Sequence, residues 1–113
     1  MKVHTLRFRK INEDTFEAIK TGTKKVETRA ATSRYSKIEE GDTLKLVCGK
    51  KSFNRNVMKV KKFKTITSLL KDYKPSEINP KLKTKNETID MYYSFPKYRD
   101  KIKQFGIIAL ELK

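Results

Sequence analysis

Gly22-Thr23-Lys24-Lys25-Val26-Glu27-Thr28-Arg29 is the stretch on which the fold turns. A glycine just after a helical pattern supplies the left-handed backbone that ends a helix. The residues that follow alternate as a strand does: Lys25, Glu27 and Arg29 fall on one face, and Val26, Thr28 and Ala30 on the other. A helix therefore stops and a strand with a charged face begins within these few residues. Lys24 stands at the helix-to-strand turn, where alternation need not yet hold.

Working back from Gly22, Asn12 reads as a helix N-cap, with Glu13 and Asp14 in the first turn, where the helix dipole favours acids. Ile11 and Phe16 are spaced as a hydrophobic staple. Before them, His4, Leu6 and Phe8 alternate with Thr5, Arg7 and Arg9, the pattern of a half-buried strand. His4 on the apolar face reads as a core or edge residue rather than a catalyst.

Working forward, Ala31–Ser36 is a polar segment that contains Arg34 and Tyr35, and Gly41-Asp42 signals a turn. Leu44, Leu46 and Cys48 share one face of a strand over residues 43–48, which makes Cys48 a small buried hydrophobe. A turn at residues 49–52 sends the chain back along a strand over 53–64. There the apolar positions Met58, Val60 and Phe63 lose their alternation, and the spacing predicts a β-bulge near Lys61-Lys62. Residues 65–73 take up helical spacing with Thr65 as cap, and Pro75 and Pro80 bracket an irregular stretch. Thr84-Lys85-Asn86-Glu87 is a capping box that opens a second amphipathic helix with Ile89, Tyr92 and Tyr93 and stops before Pro96. The final strand has Ile108, Leu110 and Leu112 on one face and Ile107, Ala109 and Glu111 on the other. A strand so apolar belongs in the middle of its sheet. The order of elements predicts an α+β fold: a small, twisted β-barrel of about five to six strands with two to three short helices. A flat α+β sandwich is the alternative.

With 113 residues the chain is expected to form a single domain, 1–113, around one core. Its 28 basic residues against 13 acidic ones leave a net charge of +15, a field that attracts polyanions, with nucleic acid first among them. Of those cations 22 are lysine and 6 are arginine, which weighs against a dedicated reader of duplex sequence. One cysteine and one histidine exclude an internal disulfide and the usual tetrahedral zinc site, and no metal or cofactor is expected. Charges at Lys2, Arg7, Arg9 and Lys10 interrupt any signal-peptide core, and no apolar run would span a membrane. The expectation is a cytoplasmic monomer.

The chain resembles the ASCH domain family of the PUA-like superfamily. Gly22–Arg29 is similar to that family's G-x-K-x-x-E-x-R element with every marked position filled. Ile38-Glu39-Glu40-Gly41-Asp42-Thr43-Leu44 resembles its I-x-x-G-D turn. Met91-Tyr92-Tyr93 and Phe105-Gly106-Ile107-Ile108-Ala109-Leu110-Glu111-Leu112 resemble its ending. The resemblance implies a PUA-like barrel whose cleft is lined by the G-x-K-x-x-E-x-R residues. Alternation alone would send Lys25 into that cleft; the motif nominates Lys24, which we follow.

Two functions follow from the resemblance. One is a binding module for RNA or a nucleotide- or nucleoside-like ligand. Lys24, Lys25, Arg29 and Arg34 would hold phosphate, Glu27 would accept from base amino groups, and Tyr35, Tyr92 and Tyr93 would offer stacking surfaces, although the helical spacing of Tyr92 and Tyr93 also suits core packing. The other is hydrolysis, since some small ASCH proteins deacetylate acetylated cytidine nucleosides with the motif lysine, a threonine and a distant glutamate. Lys24 would take the lysine's role, Glu27 could act as an acid or base, and Glu87 would match the distant glutamate. This chain, however, carries Glu27 where those enzymes carry threonine, and a carboxylate there is expected to raise the pKa of Lys24. Ribonuclease activity with a divalent ion is a further family activity, for which Glu27 alone is a poor magnesium site.

Overall fold

A computed structural model describes residues 1–113. Five strands form one curled sheet: β1 (Val3–Arg7), β2 (Val26–Ala30), β3 (Thr43–Cys48), β4 (Lys51–Phe63) and β5 (Ile107–Leu112), in the spatial order β1-β3-β4-β5-β2. β1 and β3 are parallel and the other pairs antiparallel. The chain leaves β1 at one edge of the sheet and crosses α1 (Glu13–Thr21) to reach β2 at the other. That short connection holds the two edges near each other, so the sheet curls into a half-barrel. The barrel stays open along one seam, between β1 and β2.

Each face of the curled sheet has its own apolar layer. On the concave face Leu6, Leu44, Leu46, Val57, Ile108 and Leu110 pack with Phe16 and Ile19 of α1. On the other face Val26, Ala30, Ile107 and Ala109 pack beneath a helical layer. The layer consists of α3 (Ile66–Asp72), α4 (Pro75–Ile78), α5 (Lys85–Ser94) and α6 (Tyr98–Phe105). This corrects the expectation of one core: β5 is buried on both faces, which explains its apolar run.

The sheet has five strands, but the helices number six where two to three were expected. The additions are α2 (Ser33–Ser36) and α4, of one turn each, and α6. In α6, five polar or charged residues out of eight mask the helical spacing of Tyr98, Ile102 and Phe105. The bulge also moves. The register shift lies between Val57 and Lys59, because Val57, and not Met58, turns inward opposite Leu112. Met58 is the extra residue and is exposed.

Around α1 the helix stop is as read: Gly22 adopts φ +84° and donates its N–H to the Ile19 carbonyl. The start differs. A 3₁₀ turn over Lys10–Asn12 leads into the helix and leaves Asn12 near φ −106°, ψ 20° instead of the extended geometry of a capping residue. Its side chain makes no cap hydrogen bond, and the staple does not form, since Ile11 is 78% exposed. Phe16 packs instead between Phe8 and Phe53, at ring separations of 5.7 and 4.9 Å.

Candidate functional site

Strand register settles where the motif points. Glu27 lies opposite Leu110 and Arg29 opposite Ile108, so both charged side chains share the concave face with core residues. Val26, Thr28 and Ala30 face the helical layer. Lys24 is 2% exposed and Lys25 is exposed, so the lysine at the turn, and not the one in phase with the strand, enters the protein. The Lys24 backbone N–H is tied to the Ala18 carbonyl of α1 at 2.9 Å, which swings its side chain inward.

Inside, three charges form a chain. Lys24 Nζ lies 3.2 Å from Glu27 Oε1 and also donates to the Val26 carbonyl. Arg29 Nε donates to Glu27 Oε2 at 2.9 Å. The Arg29 guanidinium then spans the open seam: Nη2 donates to the Arg7 carbonyl at the end of β1 at 3.2 Å, and Nη1 to the Tyr35 hydroxyl at 3.4 Å. Its central carbon sits 4.9 Å from the centre of the Phe8 ring and 5.5 Å from that of Tyr35. One arginine side chain therefore connects the two edges of the half-barrel between two aromatic rings.

The electrostatics follow from burial. Loss of water pushes the Lys24 ammonium below the usual lysine range; Arg29 adds to that and Glu27 opposes it. Glu27 does raise it, as expected, but the net direction is downward because desolvation outweighs the single carboxylate, which Lys24 shares with Arg29. Burial alone would raise Glu27, yet the charges of Lys24 and Arg29 together hold it below the usual carboxylate range. Arg29 is held above its ordinary value by Glu27 in spite of burial. With all three charged, the cluster carries one net positive charge.

A cleft of about 350 Å³ opens over this cluster, between the barrel seam and the helical layer. Five cations line it, Arg7, Arg9, Lys24, Arg29 and Lys101, against one carboxylate, Glu27. Its aromatic walls are Phe8 and Tyr35 on the barrel side and Phe95 and Tyr98 on the helical side. Arg9 reaches across, 5.8 Å from the centre of the Phe95 ring. At the floor, Thr28 Oγ1 is hydrogen-bonded to the hydroxyl of buried Tyr92. Burial raises the pKa of that hydroxyl and keeps it neutral.

The cleft unites Lys24, Glu27, Arg29 and Tyr35 from the sequence reading. Lys25 lies outside it, on the exposed side of the turn. Arg34 is exposed and rests 5.6 Å from the ring of Tyr35, but is not itself part of the cleft lining. Tyr93 is 45% exposed beneath Arg99, because Tyr92 is the tyrosine of α5 that turns toward β2. Glu87 is a cap: its Oε1 accepts from the backbone N–H groups of Lys83 and Thr84 at 2.8 and 3.0 Å. It is exposed and does not line the cleft.

Sequence reasoning passed over Arg7, Arg9, Asn12, Phe95, Tyr98 and Lys101. Only the alternation of Arg7 and Arg9 with Leu6 and Phe8 hinted at any of them; Asn12 reads as a helix cap, and Phe95, Tyr98 and Lys101 come from elements distant in the chain. No group of three or more His, Cys, Asp or Glu side chains comes together to hold a metal ion. No helix is long and apolar enough to cross a membrane.

The fold is similar to that of two solved proteins. Hypothetical protein PH0355, known from a crystal structure, superposes with a TM-score of 0.84 at 24% identity, over 100% of this chain and 98% of that one. Protein PF0455 from Pyrococcus furiosus, known from a solution NMR structure, gives a TM-score of 0.76 at 24% identity, over 100% and 96%. At that identity the likeness speaks for the fold alone. No protein-family model matches the chain, and no curated protein matches it.

Proposed function

We propose that the chain is an ASCH-type, PUA-like domain whose cleft binds RNA or a nucleotide- or nucleoside-like ligand. The observation that carries this reading is the lining of the cleft, five cations to one carboxylate between aromatic walls. The cations suit phosphate, and the rings of Phe95 and Tyr98 suit a base. The volume falls in the range of small-ligand pockets. The motif resemblance at Gly22–Arg29 supports the same assignment, since its lysine, glutamate and arginine meet in this cleft.

The test is single-stranded RNA binding as a function of salt. Contact with about three phosphates gives a slope near −2 for log affinity against log salt. Arg9→Ala and Lys101→Ala lower both affinity and slope. An affinity that is absent, or flat with salt, overturns the reading.

A second reading, hydrolysis of acetylated cytidine nucleosides, is favoured by one observation, the burial of Lys24 in the cleft lining, where loss of water pushes its ammonium below the usual lysine range. A lysine so placed is closer to the neutral form that a base requires. Release of acetate from acetylated cytidine by the pure protein, lost in Lys24→Ala, supports it; no turnover rejects it.

A further inference from the structure

The single acid of the cleft is 5% exposed and is engaged at both of its oxygens. Glu27 Oε1 faces Lys24 and Oε2 accepts from Arg29 Nε, so the carboxylate holds its neighbours in place and is not free to read a ligand. Arg29 is committed as well, to Glu27, Tyr35 and the Arg7 carbonyl. A cleft that tells one planar ligand from another needs an uncommitted donor and acceptor at its wall.

Asn12 supplies both. It occupies the capping position of α1, yet its carboxamide makes no cap hydrogen bond, because the 3₁₀ turn has drawn its backbone out of the extended region. The Thr15 N–H, which an Asn12 cap would have taken, is bonded to Asp14 at 2.8 Å instead. The half-buried Asn12 lines the cleft, as does Thr15, three residues on and therefore on the same face of the helix. A carboxamide offers a donor and an acceptor side by side, the pattern that matches a base edge in bidentate fashion.

We infer that Asn12 is the specificity-determining residue of the cleft, reading the hydrogen-bonding edge of a nucleobase while Arg9 and Lys101 hold the phosphate. This rests on the nucleotide reading of the cleft given above. A residue that forgoes a local stabilising bond where a site opens is a signature of function overriding local structure.

The experiment titrates the four ribonucleoside 5′-monophosphates into the wild type, Asn12→Ala, Asn12→Asp and Arg9→Ala, followed by amide NMR shifts, with a thermal melt of each variant. The wild type is expected to prefer one nucleotide. Asn12→Ala and Asn12→Asp lower affinity for that nucleotide about tenfold, flatten the preference among the four, and leave the melting temperature unchanged. Arg9→Ala weakens all four alike and keeps the preference. If Asn12→Ala and Asn12→Asp keep the preference while Arg9→Ala weakens binding, the role of Asn12 is overturned and the cleft reading stands. A wild type that binds all four equally likewise removes the role of Asn12 alone. A wild type that binds none of the four and no single-stranded RNA overturns both.

Discussion

Glu27 faces Leu110 across the β2–β5 ladder, so a carboxylate and a fully buried leucine occupy neighbouring places on the concave face of the half-barrel. A charge in that position survives only because Lys24 and Arg29 flank it on either side. The site is therefore also part of the core, and changes to it are felt in stability as well as in binding.

Glu27→Gln leaves two buried cations without their anion. The expected loss is about 3–5 kcal/mol, the range for breaking a buried pair by removing one partner. Lys24→Met in the same background relieves part of the unbalanced charge, so the double variant costs less than the sum of the two single changes. Urea denaturation followed by circular dichroism measures both quantities. Strict additivity would show that the three groups do not form one cluster.

Gly106 and Gly22 separate steric clash from backbone strain. Both have positive φ, +80° and +84°. A Cβ on Gly22 would meet nothing within 4 Å, whereas one on Gly106 would lie 2.3 Å from the Phe63 carbonyl oxygen of β4. Gly106 also has ψ −162°, a region open in practice to glycine alone. Gly22→Ala is expected to cost about 1–2 kcal/mol, the penalty of left-handed backbone. Gly106→Ala is expected to cost clearly more and to loosen the junction between α6 and β5. Equal losses in chemical denaturation would refute the close approach of β4.

How far these features are legible in the chain depends on their range. The stop at Gly22, the strand at Val26–Ala30 and the shared face of Glu27 and Arg29 are local, set by backbone conformation and a period of two. The inward turn of Lys24 is not, since it depends on the tie from its N–H to Ala18. The choice of Tyr92 over Tyr93 depends on which face of α5 meets β2, and adjacent residues on a helix leave that open. The failed staple at Ile11 and the free amide of Asn12 have one cause, a 3₁₀ turn that no residue between Arg9 and Glu13 announces. The rim residues Arg9 and Lys101 are ordinary surface cations until the seam between β1 and β2 brings them to one opening.

The tie between β1 and the turn before β3 has its own pH signature. Asp42 accepts from the backbone N–H of Glu39, pairs with His4 Nε2 at 2.8 Å and accepts from the Lys2 N–H, and these partners hold its pKa down to about 2. A depressed carboxylate stabilises the fold above its ordinary value of 3.8, and that contribution is lost as pH falls toward 2. Asp42→Asn is expected to be less stable than the wild type at neutral pH, with the gap closing through that window. A gap that stays constant down to about pH 2 would contradict the assignment.

Lys24 works in the opposite sense. Its folded pKa lies below the ordinary 10.5, so between the two values the unfolded chain holds a proton that the folded chain has released. Stability then rises with pH across that interval, because the unfolded state binds more protons there. Buried Tyr92, whose pKa is raised, acts against this only above its ordinary value of 10.0, where the unfolded chain loses its phenolic proton first. As pH rises from the folded value of Lys24 toward 10.0, the denaturation midpoint of the wild type is therefore expected to climb relative to that of Lys24→Met, which has no proton to release at this position. Two profiles that run parallel over that range would mean that Lys24 titrates as an ordinary surface lysine. In that case the hydrolytic reading, which depends on an accessible neutral amine, would lose its support, while phosphate binding by the other cations of the cleft would be untouched.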